Sequence, residues 1–371
     1  MIGAAMRPAK ALFWASGALI VHTHVGYPAL LWLLARGRQR PEPTSAAEAG
    51  LPPVSVVVAA YDEEDVIARK VENVLALDYP RDRLELIVAS DGSTDATVER
   101  AKAAGADLVL DLPRGGKVRA QDQAVERAKG DLLLFTDANA NLAPDALRAI
   151  VARFAEDPRL GYLCGQVRFT TEDGTNQEGV YWRYEMAVRE LESRVGDVTA
   201  GNGALYATRR ESYLVVDPRM GHDLSFPFNM VKRGWRAKYE PSATAGEKTT
   251  PSNESEFRRK RRMMSHTWPI MLTGGILDPR GYSPLYALQV VSHRLLRYVT
   301  PFLHLIAFAT SVRMRYRLAV RVQLAFFAAA LAGRPRIARY YALVTASPAA
   351  GLYDYLRSGT PAGWEKAEGT R

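Results

Sequence analysis

Between residues 54 and 142, four short apolar segments (VSVVVA, LELIVA, ADLVL and DLLLFT) alternate with stretches of helical spacing that begin near Glu63, Thr94 and Lys117. No other feature constrains the fold as much. Strands apolar along their whole length belong in a parallel sheet covered on both faces by helices, so this segment is expected to form a doubly wound α/β sheet. In such a sheet, ligands gather in the crevice beyond the carboxyl ends of the strands. The loops that follow the four strands are therefore the candidate functional loops.

Each of these loops carries residues suited to a nucleotide diphosphate. The fourth strand delivers Asp137 and Asn139, in LLLFTDANANL, to its carboxyl end. A carboxylate and an amide oxygen two residues apart suit a hard divalent cation carrying substrate phosphates, although Asx residues also serve simply to turn the chain. After the first strand, AAYDEED offers Tyr61 to lie against a base and Asp62 or Glu63 to accept hydrogen bonds from it. After the second, SDGSTDAT poises Asp91 toward the base, while Thr94 or Asp95 would cap the next helix. After the third, RGGKVRAQ pairs two glycines, which permit close backbone approach, with Lys117 at a helix start. That arrangement favours phosphate but is neither a Walker A loop nor a dinucleotide fingerprint.

A net charge of +9 raises the question of nucleic acid. The basic residues cluster at 36–40, 258–262 and 313–321, beside apolar stretches, which fits an anionic membrane surface better than a groove-reading module. No zinc-ligand spacing, aromatic–basic RNA signature or helix-turn-helix pattern occurs, so no nucleic-acid partner is expected. The single cysteine, Cys164 in GYLCGQV, rules out an internal disulfide and reads as a buried strand position in a reducing compartment.

Residues 11–35 have the length of a transmembrane helix, and no small-x-small cleavage site follows them before Arg36. Arg36, Arg38 and Arg40 after the span outweigh Arg7 and Lys10 before it, which puts the carboxyl side in the cytoplasm. A Pro- and Ala-rich linker is expected at 41–53 and a long helix near 177–195. The stretches 295–312 and 318–332 are apolar but short and carry Arg297 and Arg321. They are expected either as short tilted spans or as interfacial helices whose arginines snorkel. A third apolar stretch, 340–355, precedes a polar tail. The chain therefore divides into a membrane helix (1–40), the linker, an α/β domain (54–265, with a nucleotide-binding half to 142 and an acceptor half from 143) and a membrane-associated helical region and tail (266–371).

Taken in order, these motifs resemble the inverting family 2 glycosyltransferases of the GT-A fold, over roughly 54–265. SVVVAAYDEE stands where the family has a strand followed by Pro-x-Tyr-Asn-Glu, with Ala60 and Asp62 replacing the Pro and Asn. VASDGSTDAT matches the Asp-Gly-Ser-x-Asp turn, and GGKVRAQDQAVERAKGD matches the Gly-Lys-x-x-Ala-x-Asn helix with Gln121 and Asp122 at the polar position. Asp137-Ala138-Asn139 takes the place of the Asp-x-Asp metal motif, with Asn for the second Asp. GNGALYATRRE at 201–211 is similar to the loop and strand beside the donor sugar. In MGHDLSFPFNMVKRGWRAKYEP, Asp223 falls at the catalytic base, although a cap on the following helix would also place an Asp there. His222 replaces a common acidic residue and receives no role. FRRKRRMMSHTW at 257–268 lies where processive members have Gln-x-x-Arg-Trp: Arg259 replaces the Gln, Arg262 keeps the Arg and Met263 replaces the stacking Trp. Arg258 and Lys260 read as contacts of a basic helix with lipid headgroups.

The resemblance implies donor contacts at Ala60, Tyr61, Glu63, Asp91, Gly116, Lys117, Asp137, Ala138, Gly201, Asn202 and Arg262. It implies Asp223 as base, and Mg²⁺ or Mn²⁺ on Asp137 and Asn139. The activity implied is inverting transfer from a nucleotide diphosphate sugar, with a uridine donor as first expectation. The acceptor would be a lipid-linked saccharide or a growing surface polysaccharide, at the bacterial plasma membrane with the catalytic domain on the cytoplasmic side. Two alternatives are transfer onto polyprenyl phosphate and a catalytically silent sugar-nucleotide-binding scaffold.

Overall fold

The computed structural model describes residues 2–38, 50–170, 178–248 and 253–363. The chain enters through helices α1 (Ile2–Val21) and α2 (Tyr27–Ala35), joined by one π-helical turn. Most of the expected linker, 41–49, lies outside the described residues. Its last residues are part of the domain: Leu51 is fully buried, and the Pro53 carbonyl accepts from the Asp131 and Leu132 N–H groups.

The α/β domain runs β1 (Val54–Ala60), α3 (Ile67–Leu75), β2 (Leu84–Asp91), α4 (Thr97–Ala103), β3 (Leu108–Leu112), α5 (Lys117–Arg127) and β4 (Leu132–Asp137). It continues with β5 (Asn141–Leu142), α6 (Ala146–Glu156), β6 (Leu160–Thr170), α7 (Glu178–Val195), β7 (Leu205–Arg209), α8 (His222–Lys232) and β8 (Arg236–Lys248). The eight strands form one sheet in the order β3-β2-β1-β4-β7-β6-β8-β5. Side-chain alternation sorts the core onto its two faces. Val56, Val58, Leu86 and Leu134 pack on one face, and Val57, Ile87, Leu133 and Phe135 on the other. Truncating any of these to Ala would cost about 2–5 kcal/mol.

The four strands read from sequence pair in parallel, as expected. The second half departs from the parallel pattern, because β7 runs antiparallel to both β4 and β6 while β8 is parallel to β6. The chain passes through β5, α6, β6 and α7 before β7 enters beside β4 from the opposite end. This reversal positions the site. Leu205, the first residue of β7, sits opposite Thr136, so the loop before β7 lies at the same sheet edge as Asp137 at the end of β4. The carboxyl end of β8, with Glu247 opposite Phe169, reaches that edge too.

The remaining helices are α9 (Asn253–Leu272), α10 (Pro284–Gln289), α11 (Leu296–Arg313), α12 (Arg317–Ala332) and α13 (Arg336–Ser358). Among the described residues, two helices are long and apolar enough to cross a membrane, the 29-residue Arg7–Ala35 and the 30-residue Pro284–Arg313. At 1.5 Å per residue each exceeds a hydrocarbon core about 30 Å thick. The second span corrects the sequence reading: α10 and α11 join through a π-helical stretch into one helix that starts eleven residues before 295. His293 and Arg294 break the apolar pattern there, but both side chains turn inward: His293 Nδ1 meets Glu192 Oε1 at 2.8 Å and Arg294 Nε donates to Thr199 at 2.8 Å. Arg297 does not snorkel either. It is buried, ion-paired with Glu185 and hydrogen-bonded to the Tyr184 hydroxyl. Helices α12 and α13 meet at a bend of 100°, and together they form a broken span or a re-entrant loop.

Candidate active site

At the shared sheet edge, a cavity of about 310 Å³ opens between the α/β domain and α9 and α11. Of the residues expected in a site, it brings together Lys117, Asp137, Gly201, Asn202, Asp223 and Arg262. It adds Glu247 from β8, Arg189 from α7 and Arg294, which the sequence reading did not select.

Asp223 lies in the first turn of α8, whose N-cap is Gly221, so its carboxylate is not the helix cap. Its backbone carbonyl accepts from Gly201 N–H at 2.6 Å, tying the loop before β7 to the start of α8. Burial raises the pKa of its carboxyl group, against the opposing pull of Lys117 and Arg189. Behind it, His222 stacks on Phe226 at 3.9 Å and its Nδ1 meets the Tyr206 hydroxyl at 2.8 Å. Burial, reinforced by Lys117, pushes His222 down to about 3, so it is a neutral ring within an aromatic cluster that fixes the helix start.

In the loop 201–203, Gly201 leaves no room for a side chain, and Gly203 leaves little. A Cβ on Gly201 would lie 1.8 Å from the Tyr162 hydroxyl, and one on Gly203 would lie 3.2 Å from Lys117 Nζ. Asn202 uses its amide to hold this loop, donating to the Gly165 carbonyl at 2.8 Å and accepting from Leu205 N–H at 2.9 Å. Arg189 fastens the loop from α7 through the Gly201 carbonyl at 2.8 Å.

Lys117, at the start of α5, pairs with Asp137. Burial alone would lower the lysine's pKa, but Asp137, then Asp223 and Glu247, hold it above its ordinary value. Lys70 lies behind the Asp137–Ala140 turn, donating to Thr136 Oγ1 at 2.8 Å and to the Ala140 carbonyl at 2.6 Å. Burial pushes Lys70 down to about 7, despite Asp137 and Glu247. A buried lysine at the Ile67–Val71–Val74 face of an amphipathic helix was a signal available in the sequence.

Among the described residues, no group of three or more His, Cys, Asp and Glu side chains could hold a metal by itself. Nucleotide-bound Mg²⁺ and Mn²⁺ need only one or two protein oxygens, the rest coming from phosphates and water. An Asp137 carboxylate lining the cavity and an Asn139 amide two residues on fit that donor set, although Asn139 itself does not line the cavity. The methyl groups of Ala60 and Ala138 are buried in the core, which leaves only their backbones to meet a ligand.

The nucleoside end is arranged differently. Asp91 accepts from Gly115 N–H at 2.7 Å, Gly116 N–H at 2.9 Å and Arg114 Nη1 at 2.8 Å, so its carboxylate holds the glycine turn. The Arg114 guanidinium lies 3.3 Å over the Tyr61 ring. Gly116 has φ +98, and a Cβ there would meet the Ala362 carbonyl oxygen at 2.1 Å, so the segment after α13 rests on this turn. Glu63 is buried, and its carbonyl starts α3 by accepting from Val66 and Ile67 N–H groups. The N-cap of α4 is Ala96 and neither expected residue, although Asp95 accepts from Thr97 N–H at 3.0 Å from one position earlier.

Comparison with known proteins follows the same outline. The family described as "Glycosyltransferase like family 2" matches residues 52–265. A poly-β-1,6-N-acetyl-D-glucosamine synthase of Staphylococcus aureus is 28% identical over 201 residues, 51% of this chain and 48% of the relative. A β-monoglucosyldiacylglycerol synthase of Synechocystis is 34% identical over 169 residues, 42% of this chain and 33% of the relative. The chain thus spans about half or less of the length of these curated relatives. The solved mannosyltransferase PcManGT of Pyrobaculum calidifontis, in complex with GDP-Man and Mn²⁺, superposes with a TM-score of 0.74 at 24% identity, covering 93% of this chain and 99% of that one. That likeness establishes the GT-A architecture, with its helical appendages.

Proposed function

Because the chain belongs to the glycosyltransferase-like family 2, we propose that it transfers a sugar from a nucleotide diphosphate donor onto a hydroxyl group of a membrane-embedded acceptor, with inversion. The observation that carries this reading is a buried carboxylate of raised pKa, Asp223, in the same cavity as the Lys117–Asp137 pair. Asp223 removes the acceptor hydroxyl proton as that oxygen bonds to the anomeric carbon and the bond from that carbon to the diphosphate breaks. Lys117 places positive charge beside the departing diphosphate. Asp137 and Asn139 are the residues that would hold Mg²⁺ or Mn²⁺, which when bound neutralises charge on that diphosphate. The GDP-Man and Mn²⁺ of the archaeal mannosyltransferase are consistent with such a donor and ion.

A general base is needed when the nucleophile is an alcohol. A phosphate acceptor is already ionised and needs none, so Asp223 favours an alcohol acceptor over transfer onto polyprenyl phosphate. Two helices of spanning length support a cavity that works at a bilayer, and the supply of sugar nucleotides in the cytoplasm supports that side for it. The acceptor is then a lipid-linked saccharide or an envelope polysaccharide. Incubating membranes that contain the full chain with labelled sugar nucleotides, a uridine diphosphate sugar first, tests this. Label should enter a lipid or polymer fraction and be released as a sugar in glycosidic, not phosphate, linkage. Acid-labile sugar phosphate as the only product would favour the phosphate acceptor, and no incorporation from any donor would favour the silent scaffold.

A further inference from the structure

A second cavity of about 320 Å³ adjoins the first, and Tyr181, Met263, Met264 and Tyr298 wall both. The rest of its lining is mainly aliphatic and aromatic, with Ile337, Tyr340, Val344 and Pro348 of α13, and includes the neutral polar residues His24, Thr300, Thr345 and Ser347. Its cationic residues, Lys260 and Arg297, line the first cavity as well, and so stand at the junction of the two. A binding region with cations only where it meets the reaction chamber is ordered like an amphiphile: hydrocarbon away from the chemistry, anion next to it. Lys260 is partly compensated by Glu256 at 3.0 Å, and Arg297 by Glu185. Arg294, lining the reaction chamber nearby, is 7% exposed and leaves a buried Nη2 without a hydrogen-bond partner. A buried guanidinium N–H left unpaired is costly, and an incoming anion would satisfy it.

We propose that this second cavity holds a hydrocarbon chain of the acceptor, and that the acceptor is a lipid carrying its sugar through phosphate. The chain lies between α11 and α13, the phosphate sits by Lys260, Arg297 and Arg294, and the sugar hydroxyl reaches Asp223. The mouth lies where a membrane lipid can enter: Ile337 at the rim is 47% exposed, and α11 belongs to the second spanning helix. The assignment rests on the glycosyl-transfer reading but can be tested without any donor.

The test is photolabelling of the full chain in lipid nanodiscs with dodecyl phosphate bearing a terminal diazirine, followed by peptide mapping. Saturable labelling within 298–300 and 337–348 is expected, competed at least tenfold by unlabelled dodecyl phosphate and not by dodecyltrimethylammonium. Val344→Trp, which fills the cavity, should cut this labelling at least fivefold, while uridine diphosphate binding reports that the variant is folded. If that variant does not fold, Val344→Ala should keep the saturable label. Label confined to lipid-facing residues such as Leu318 and Leu331, or equal competition by the cationic amphiphile, would overturn the proposal. Cavity labelling in a chain that transfers no sugar would overturn the proposed function and leave the lipid site standing.

Discussion

The chamber around Asp223 and the nucleoside rim around Asp91 share one sheet edge and are comparably rich in charge, yet the first is an open cavity and the second is closed by its own contacts. In the chamber, carboxylates and cations face a common space, and Lys117 has Asp137, Asp223 and Glu247 around it. At the rim, Asp91 is saturated by the glycine turn and Arg114, while Arg114 covers the ring expected to meet a base. The chamber is therefore preorganised for the proposed reaction. The rim is organised for stability, and a base can reach Tyr61 only if Arg114 moves.

Disturbing the chamber should have the larger effects. Excess chelator, or Asp137→Ala, is expected to reduce transfer to background, whereas Asn139→Asp should retain or raise metal affinity. Full activity in chelator, measured with labelled donor, would remove the metal from the chamber. Next, Asp223→Asn should lower turnover by about two to four orders of magnitude with little change in nucleotide binding. The same substitution should raise the melting temperature at neutral pH. A carboxyl group whose folded pKa is raised contributes stability below its unfolded pKa and loses it as pH rises through the folded value, so at neutral pH its ionised form is a burden that Asn lacks.

Gly201→Ala sets a new methyl against Tyr162 and should destabilise the fold by about 1–3 kcal/mol in chemical denaturation. The smallest effect belongs to the rim. Arg114→Ala uncovers Tyr61 and should tighten uridine diphosphate binding about two- to fivefold in titration calorimetry, a change of less than about 1 kcal/mol. Weaker binding would mean that Arg114 is itself a nucleotide contact and that the rim closes around the donor.

The parallel half of the sheet was legible because strands buried on both faces read as nearly continuous apolar runs, as β1, β2 and β4 do. The antiparallel entry of β7 was not, since strand direction is set by the connection and leaves no mark in the composition of LYATR. Asp137, Lys117, Asp223 and the 201–203 loop could be read because their types and order carry the chemistry. Glu247 and Arg189 could not, because they reach the chamber only through the pairing of β8 with β6 and the packing of α7. Arg294 and Arg297 look like flaws in a membrane helix when read along the chain. Buried against Thr199 and Glu185, they hold that helix to the catalytic domain.

The most direct test is the pH dependence of single-turnover transfer by the full chain in detergent, for the native sequence and for Asp223→Asn. The native chain is expected to lose activity on acidification, with a midpoint above the ordinary carboxylate range because burial raises Asp223. In Asp223→Asn the residual rate should be flat across that limb. A variant that keeps native turnover together with the same acid limb would show that Asp223 is not the base.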